Sequence, residues 1–247
     1  MFEDRWLSTP VDRIECRLVG DFELAKAVET NRKSIWASTS SRHPEAFDGT
    51  LLRMADHRIE CGQLTISAQK TCYSAYLATR HPEFDDEYPD AARADPLGMT
   101  VVVLTADDCA IVTRRSLTAE QNPGGLYFVG GYAEPNGSKT VDLFQEAARE
   151  IAEEIAVSDL IRSASYAIGL SYDPVFCHPE MFLLTVSRST ATQVLDGAGN
   201  APDRNEAAHL YAYPLDDILN GDSALADAPK TWSFLKARAF LARHFEA

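Results

Sequence analysis

The segment from about 139 to 156 constrains this chain more than any other. Phe144, Ala148, Ile151 and Ile155 fall at i, i+4, i+7 and i+11, which makes one apolar stripe along a helix. At about 100° per residue, Glu146, Glu150, Glu153 and Glu154 gather on the other side of that helix. Like charges at such spacing repel, so the helix gains nothing from them by itself. A solvated acidic face is the plain alternative. The preceding Gly130-Gly131, at the end of a strand, tips the balance. Backbone without side chains can approach a phosphate or lend a carbonyl oxygen to a cation. Clustered carboxylates are hard oxygen ligands for Mg²⁺, with Mn²⁺ as the substitute.

The rest of the chain reads as mixed strand and helix. A strand is expected over about 12–19, then a helix from Asp21 through Trp36. Short strand-like runs follow at Thr50–Met54, His57–Cys61 and Gln63–Ala68, and then a Tyr-rich segment at 71–80. Residues 81–96 hold three prolines and a run of acids, the composition of a connector. Beyond it, Met99–Thr105 and Cys109–Thr113 suit a hairpin turning at Asp107-Asp108. Further strands are expected at 126–129, 164–171, 180–187 and 207–213, and a closing helix over 228–246. The expected organisation is therefore a smaller N-terminal α+β domain, 1–95, followed by a domain over 96–247 of α/β class.

Charge narrows the partners. A formal net charge of −14 opposes a phosphate backbone and argues against nucleic acid. A small anionic substrate stays open if a metal cation bridges it to carboxylates. The five cysteines form no Cys-x-x-Cys pair and are odd in number, so reduced, buried thiols are expected rather than zinc or disulfides. The N-terminal residues are charged, without an apolar signal core, and no apolar run reaches the roughly 20 residues that span a bilayer. A cytoplasmic protein without membrane contact is expected.

Gly131 followed by Arg149-Glu150-Ile151-Ala152-Glu153-Glu154 resembles the box of the Nudix hydrolases, in which a glycine, a spaced glutamate and Arg-Glu-x-x-Glu-Glu recur. The resemblance implies a Nudix-type α/β/α sandwich, glutamates that bind metal, and a metal-activated water that attacks a phosphorus of a nucleoside diphosphate derivative. Three positions depart from the pattern. Ala156 stands where glycine is usual, the stretch from Gly131 to Arg149 is lengthened around Pro135-Asn136-Gly137-Ser138, and Val141 replaces the glutamate eight residues before the arginine. Asp95-Pro96-Leu97-Gly98, Arg114-Arg115-Ser116 and Gly130-Gly131-Tyr132-Ala133-Glu134-Pro135 are similar to the branch of the family that hydrolyses UDP-glucose and UDP-galactose to UMP and a sugar 1-phosphate.

Roles follow by motif position. Glu150, Glu153 and Glu154, with the Gly131 carbonyl, are the expected metal ligands, and Arg149 is expected to orient the glutamates. Glu206, in the loop before a late strand, is one candidate for the catalytic base. Glu180, an acid opening an apolar strand, is an expected substrate contact. Arg114 or Arg115 could clamp a diphosphate, and Tyr73 could stack on a base, although aromatics are more often core. His178 and His209 have no second ligand close in sequence and read as structural. The runner-up substrate is ADP-ribose or another nucleoside diphosphate derivative; the non-enzyme alternative is a nucleotide-sugar sensor. The sequence allows a homodimer.

Overall fold

The computed structural model describes residues 5–44, 46–119, 121–204, 207–221, 225 and 227–246. In chain order these form β1 (Arg5–Val11), β2 (Arg13–Asp21), α1 (Lys26–Arg42), β3 (Thr50–Glu60), β4 (Gln63–Cys72), α2 (Tyr73–Thr79) and α3 (Phe84–Glu87). Then come β5 (Gly98–Leu104), β6 (Cys109–Arg115), β7 (Leu126–Tyr127), β8 (Val129–Tyr132), β9 (Thr140–Val141) and α4 (Leu143–Ile155). The chain continues through β10 (Tyr166–Asp173), β11 (His178–Val186), α5 (Ala191–Gly197), β12 (Ala207–Pro214), α6 (Leu215–Asn220) and α7 (Trp232–Glu246).

The large sheet runs β1-β10-β11-β5-β6-β12, with β7 added to β6 and β8 to β5. Strict alternation divides its side chains. Met99, Val101, Val103, Met181 and Leu183 face one core with Ala147, Ile151 and Ile155 of α4. Val102, Leu104, Phe182 and Leu184 face a second core with Phe234, Ala237 and Phe240 of α7. Helices thus cover both faces, which is the α/β/α layering expected. On the α7 side, a Cβ built on Gly169 would lie 2.5 Å from the Phe240 ring, so only glycine lets the helix settle that close.

β5 and β6 touch in register only at Leu104↔Ala110 and then diverge. β8 fills the gap beside β5 from Gly98↔Tyr132 to Val101↔Val129, while β7 pairs with β6. The split places Gly130 and Gly131 at the mouth of an opening in the sheet.

The small sheet runs β3-β4-β2-β9. Two runs expected at 50–54 and 57–61 are one strand, β3, whose register shifts between Met54 and Asp56. A bulge absorbs the break that sequence alternation suggested. The first helix lies later than expected, at Lys26–Arg42. The boundary expected near residue 95 is crossed in both directions: β1 pairs with β10 in the large sheet, and β9 pairs with β2 in the small one. Cys16, Leu52, Leu64 and Ile66 share a core with α4.

Asp142 caps α4 by accepting from the backbone N–H groups of Phe144 (3.0 Å) and Gln145 (3.3 Å). At its other end, Ala156 closes the helix in the left-handed region, φ 57°, ψ 26°. This is the position where glycine is usual in the resembling family, and the reason is steric: a Cβ is disfavoured there by about 1 kcal/mol or more. Ala156→Gly is therefore expected to stabilise the protein by about 1 kcal/mol and raise Tm by about 2–4 °C. Thermal unfolding followed by circular dichroism checks this, and a lower Tm would contradict it.

All five cysteines are free, and Cys16 and Cys177 are buried. Cys61 is exposed in a left-handed turn between β3 and β4, so burial is not common to the set.

Candidate metal centre and substrate cleft

The stripe on α4 is turned from the one expected. Ala147, not Ala148, enters the core with Leu143, Phe144, Ile151 and Ile155. That rotation carries two of the four acids inward: Glu146 is 8% exposed and Glu154 4%. Glu154 turns toward the strand mouth. Its Oε1 accepts from the Gly130 N–H at 3.1 Å and its Oε2 from the Tyr127 hydroxyl at 3.2 Å.

Arg149 finds its partners on its own helix. It donates to Glu146 (3.3 Å), Glu150 (2.7 Å) and Glu153 (2.6 Å), which supplies the ion pairing left open by Val141. Burial pulls the guanidinium pKa down, but the carboxylates of Glu150, Glu153 and Glu146 outweigh it and hold it above its usual value. One cation thus spans three acids.

Glu150 stands against Gly131. A Cβ added at Gly131 would sit 2.7 Å from the Glu150 carboxylate, so the bare backbone is what allows the approach. Burial pushes the Glu150 carboxyl up to about 7; Arg149 opposes this, while Glu153 and Glu134 reinforce it. Oxygen donors beside bare backbone suit a divalent hard cation, but among the described residues the three-residue group with ligand atoms within 4.8 Å of one another is Asp173, His178 and Glu180, not the glutamates of α4.

Glu150 and Gly131 open into a cleft of about 690 Å³, which is also lined by Tyr73, Arg115, Tyr132, Glu134, His178 and Glu180. Strand alternation separates the two candidate arginines. Arg115 lies over the Tyr127 ring at 5.0 Å, and its Nε is buried without a hydrogen-bond partner among the described residues. Arg114 is absent from the cleft wall and donates instead to the Gly124 carbonyl at 3.0 Å. Tyr73 stands edge-on to Trp36, with ring centroids 6.5 Å apart. Glu206 lies outside the described residues.

Glu180 is buried and accepts from the Thr100 hydroxyl. Burial pushes its carboxyl up to about 8, against the effect of that hydrogen bond. Beside it are His178 and Asp173; one ligand atom from each of the three lies within 4.8 Å of the others. His178 therefore does have ligand-type neighbours, contrary to the reading from sequence spacing. Asp173 lies directly across the β10–β11 ladder from His178, and Glu180 is two residues along the same strand. The signal that could have revealed the group was the hairpin register, not any local motif.

Two raised carboxyls give the metal-free protein a definite pH response. Unfolded glutamates titrate near 4.5, whereas folded Glu150 and Glu180 keep their protons to about 7 and about 8. Their stabilising contribution is complete below the unfolded value and is lost as pH rises through the folded values. Burial lowers the His178 pKa, so that group acts in the opposite sense. In chelator, the wild-type Tm is expected to drop relative to Glu180→Gln between about pH 5 and pH 8.5. A gap that is flat with pH would contradict this.

No family model matches the chain. The bovine (Bos taurus) protein named uridine diphosphate glucose pyrophosphatase NUDT22 is 26% identical over 168 residues, covering 56% of this chain and 58% of that protein. At that identity and coverage the chain is similar to this protein without being assigned to its family. It spans less than two thirds of the length of that curated relative. Among solved structures, the MutT protein of Methanosarcina mazei Go1 is 14% identical with a TM-score of 0.41, covering 61% of this chain and 93% of that one. A Nudix hydrolase from Alicyclobacillus acidocaldarius is 18% identical with a TM-score of 0.41, covering 60% and 91%. Overlays this loose say nothing about chemistry. The resemblance of this chain to the Nudix box therefore rests on its own strand mouth and helix, where Gly130, Gly131, Glu150 and Glu154 meet. Among the described residues no helix is long and apolar enough to cross a membrane.

Proposed function

We propose that this chain is a divalent-metal-dependent hydrolase of the diphosphate bond in nucleoside diphosphate derivatives, with UDP-glucose and UDP-galactose as its substrates. The observation that carries the reading is Glu150 pressed against Gly131 at the inner end of a cleft large enough for a nucleotide sugar. The name of the bovine relative supports the choice of sugar nucleotide.

Glu150, Glu153 and Glu154, with the Gly131 backbone, would hold an ion such as Mg²⁺ or Mn²⁺. When bound, the ion neutralises phosphate charge and lowers the pKa of water. The protein side chains do the rest. Arg149 ties two of the proposed ligands, Glu150 and Glu153, to one guanidinium together with Glu146. Arg115, with an unsatisfied Nε and a position on the cleft wall, receives the diphosphate, while Arg114 is tied to the Gly124 carbonyl. Tyr73 lines the wall and offers a ring to the base or sugar. A carboxylate takes the proton from the attacking water. Glu206 is the assignment by motif position, and Glu180, with a carboxyl pushed up to about 8 and a place in the cleft, is its rival.

The test is hydrolysis of UDP-glucose and of ADP-ribose with Mg²⁺, with UMP and glucose 1-phosphate as the expected products of the first. Turnover of ADP-ribose alone would keep the chemistry and overturn the sugar-nucleotide assignment. Turnover of neither by folded protein, with tight UDP-sugar binding, would replace the enzyme by a sensor.

A further inference from the structure

We infer that Asp173, His178 and Glu180 form a second cation site, separate from the glutamates of α4 and selective for a first-row transition ion such as Mn²⁺, Co²⁺ or Zn²⁺. The three residues each bring one ligand atom within 4.8 Å of the others, and all three are buried.

The histidine is preset as a ligand. Its Nδ1 lies 3.1 Å from the Pro179 carbonyl oxygen, which can only accept, so the proton sits on Nδ1 and Nε2 keeps its lone pair. A backbone carbonyl on one ring nitrogen is the usual way that the other is oriented toward a metal. Nε2 faces Glu180 Oε2 at 4.0 Å, too far for a hydrogen bond, with side chains only 6% and 8% exposed. Edge-on rings of Tyr76 (5.8 Å) and Tyr132 (5.3 Å) hold the imidazole in place.

The carboxylates are set in the same way. Thr100 holds one oxygen of Glu180, and the backbone N–H groups of Val175 (2.6 Å) and Phe176 (3.1 Å) hold Oδ1 of Asp173. Each acid therefore has one oxygen committed to the protein and one left over. A shared cation would give the remaining carboxylate oxygens and the free imidazole nitrogen a common partner. Arg80 is the positive group whose charge reaches His178.

The site is distinct from the α4 centre. Along β8, Gly131 turns toward Glu150 of α4, while Tyr132, the next residue, turns to His178 on the other face. Both faces reach the one cleft, because Glu150, His178 and Glu180 all line it. Three protein ligands with a side open to that cleft match an ion that keeps a position free for water or substrate. The imidazole sets the preference: Mg²⁺ favours an all-oxygen shell, whereas Mn²⁺, Co²⁺ and Zn²⁺ accept nitrogen.

Metal binding measured directly tests this without reference to hydrolysis. Metal-free full-length protein is titrated with Mn²⁺, with free ion counted by electron paramagnetic resonance and bound ion examined for ¹⁴N coupling from imidazole. Wild type is expected to show a ¹⁴N-coupled ion that Mg²⁺ displaces poorly. Glu180→Gln and Asp173→Asn keep side-chain shape and the existing hydrogen-bond acceptors, and each is expected to weaken that ion's binding by about 100-fold. Glu150→Gln is expected to leave the coupled ion in place and weaken the other. Absence of ¹⁴N coupling in folded wild type, or unchanged coupled binding in both folded variants, would overturn the second site and leave the proposed hydrolase untouched.

Discussion

Glu154→Gln is expected to lower Mg²⁺-dependent turnover by about 10²–10³-fold, because a charged metal ligand contributes several kcal/mol to the transition state and each 1.36 kcal/mol is a factor of ten. The substitution preserves shape. Its remaining carbonyl oxygen still accepts from the Gly130 N–H, and the Tyr127 hydroxyl can reverse its role toward the new amide. The fold should therefore survive, with Tm within a few degrees of wild type. Steady-state kinetics across a Mg²⁺ series, beside a thermal melt, separates the two effects. A variant that stays folded and turns over at the wild-type rate would remove Glu154 from the metal centre.

Gly130→Ala is expected to be among the most damaging single substitutions in the chain. A Cβ built there lies 2.0 Å from the Met99 carbonyl oxygen and 3.2 Å from the Thr100 Cα, both backbone atoms of β5. A flexible side chain could swing aside, but a paired strand cannot. The overpacking should cost about 3 kcal/mol, which lowers Tm by about 6–12 °C. Glu154 would also lose its donor at the correct place, so metal affinity should fall with stability. Gly131→Ala is the control one residue away, since the atoms it meets belong to the Glu150 carboxylate and can move. That variant should keep its Tm and lose activity. Equal stability of Gly130→Ala and wild type, by denaturant or heat, would contradict the close packing of β8 on β5.

The period of α4 was legible because helical spacing is local. Phe144, Ile151 and Ile155 repeat on one face whatever surrounds them, and the structure places the helix at Leu143–Ile155 within the expected 139–156. β5 and β11 were equally plain, since strands covered on both faces read as apolar runs. Glycines before the helix and acids along it were sufficient to nominate a metal centre.

Tertiary contacts decided what those residues touch. A stripe read from sequence has no sharp edge, and it was packing against the large sheet that chose Ala147 over Ala148 and so drew Glu146 and Glu154 inward. The choice between Arg114 and Arg115 for the cleft wall depended on which face of β6 the split sheet left open. The course of β1 into the large sheet and of β9 into the small one left no local trace, because strand partners are set by distant hydrogen bonds. Asp173, His178 and Glu180 are the clearest case. The sequence by itself determined the glutamate helix, whose members are neighbours through backbone geometry alone. Only the tertiary structure made a group of His178 and Asp173, because their meeting depends on the register of two strands.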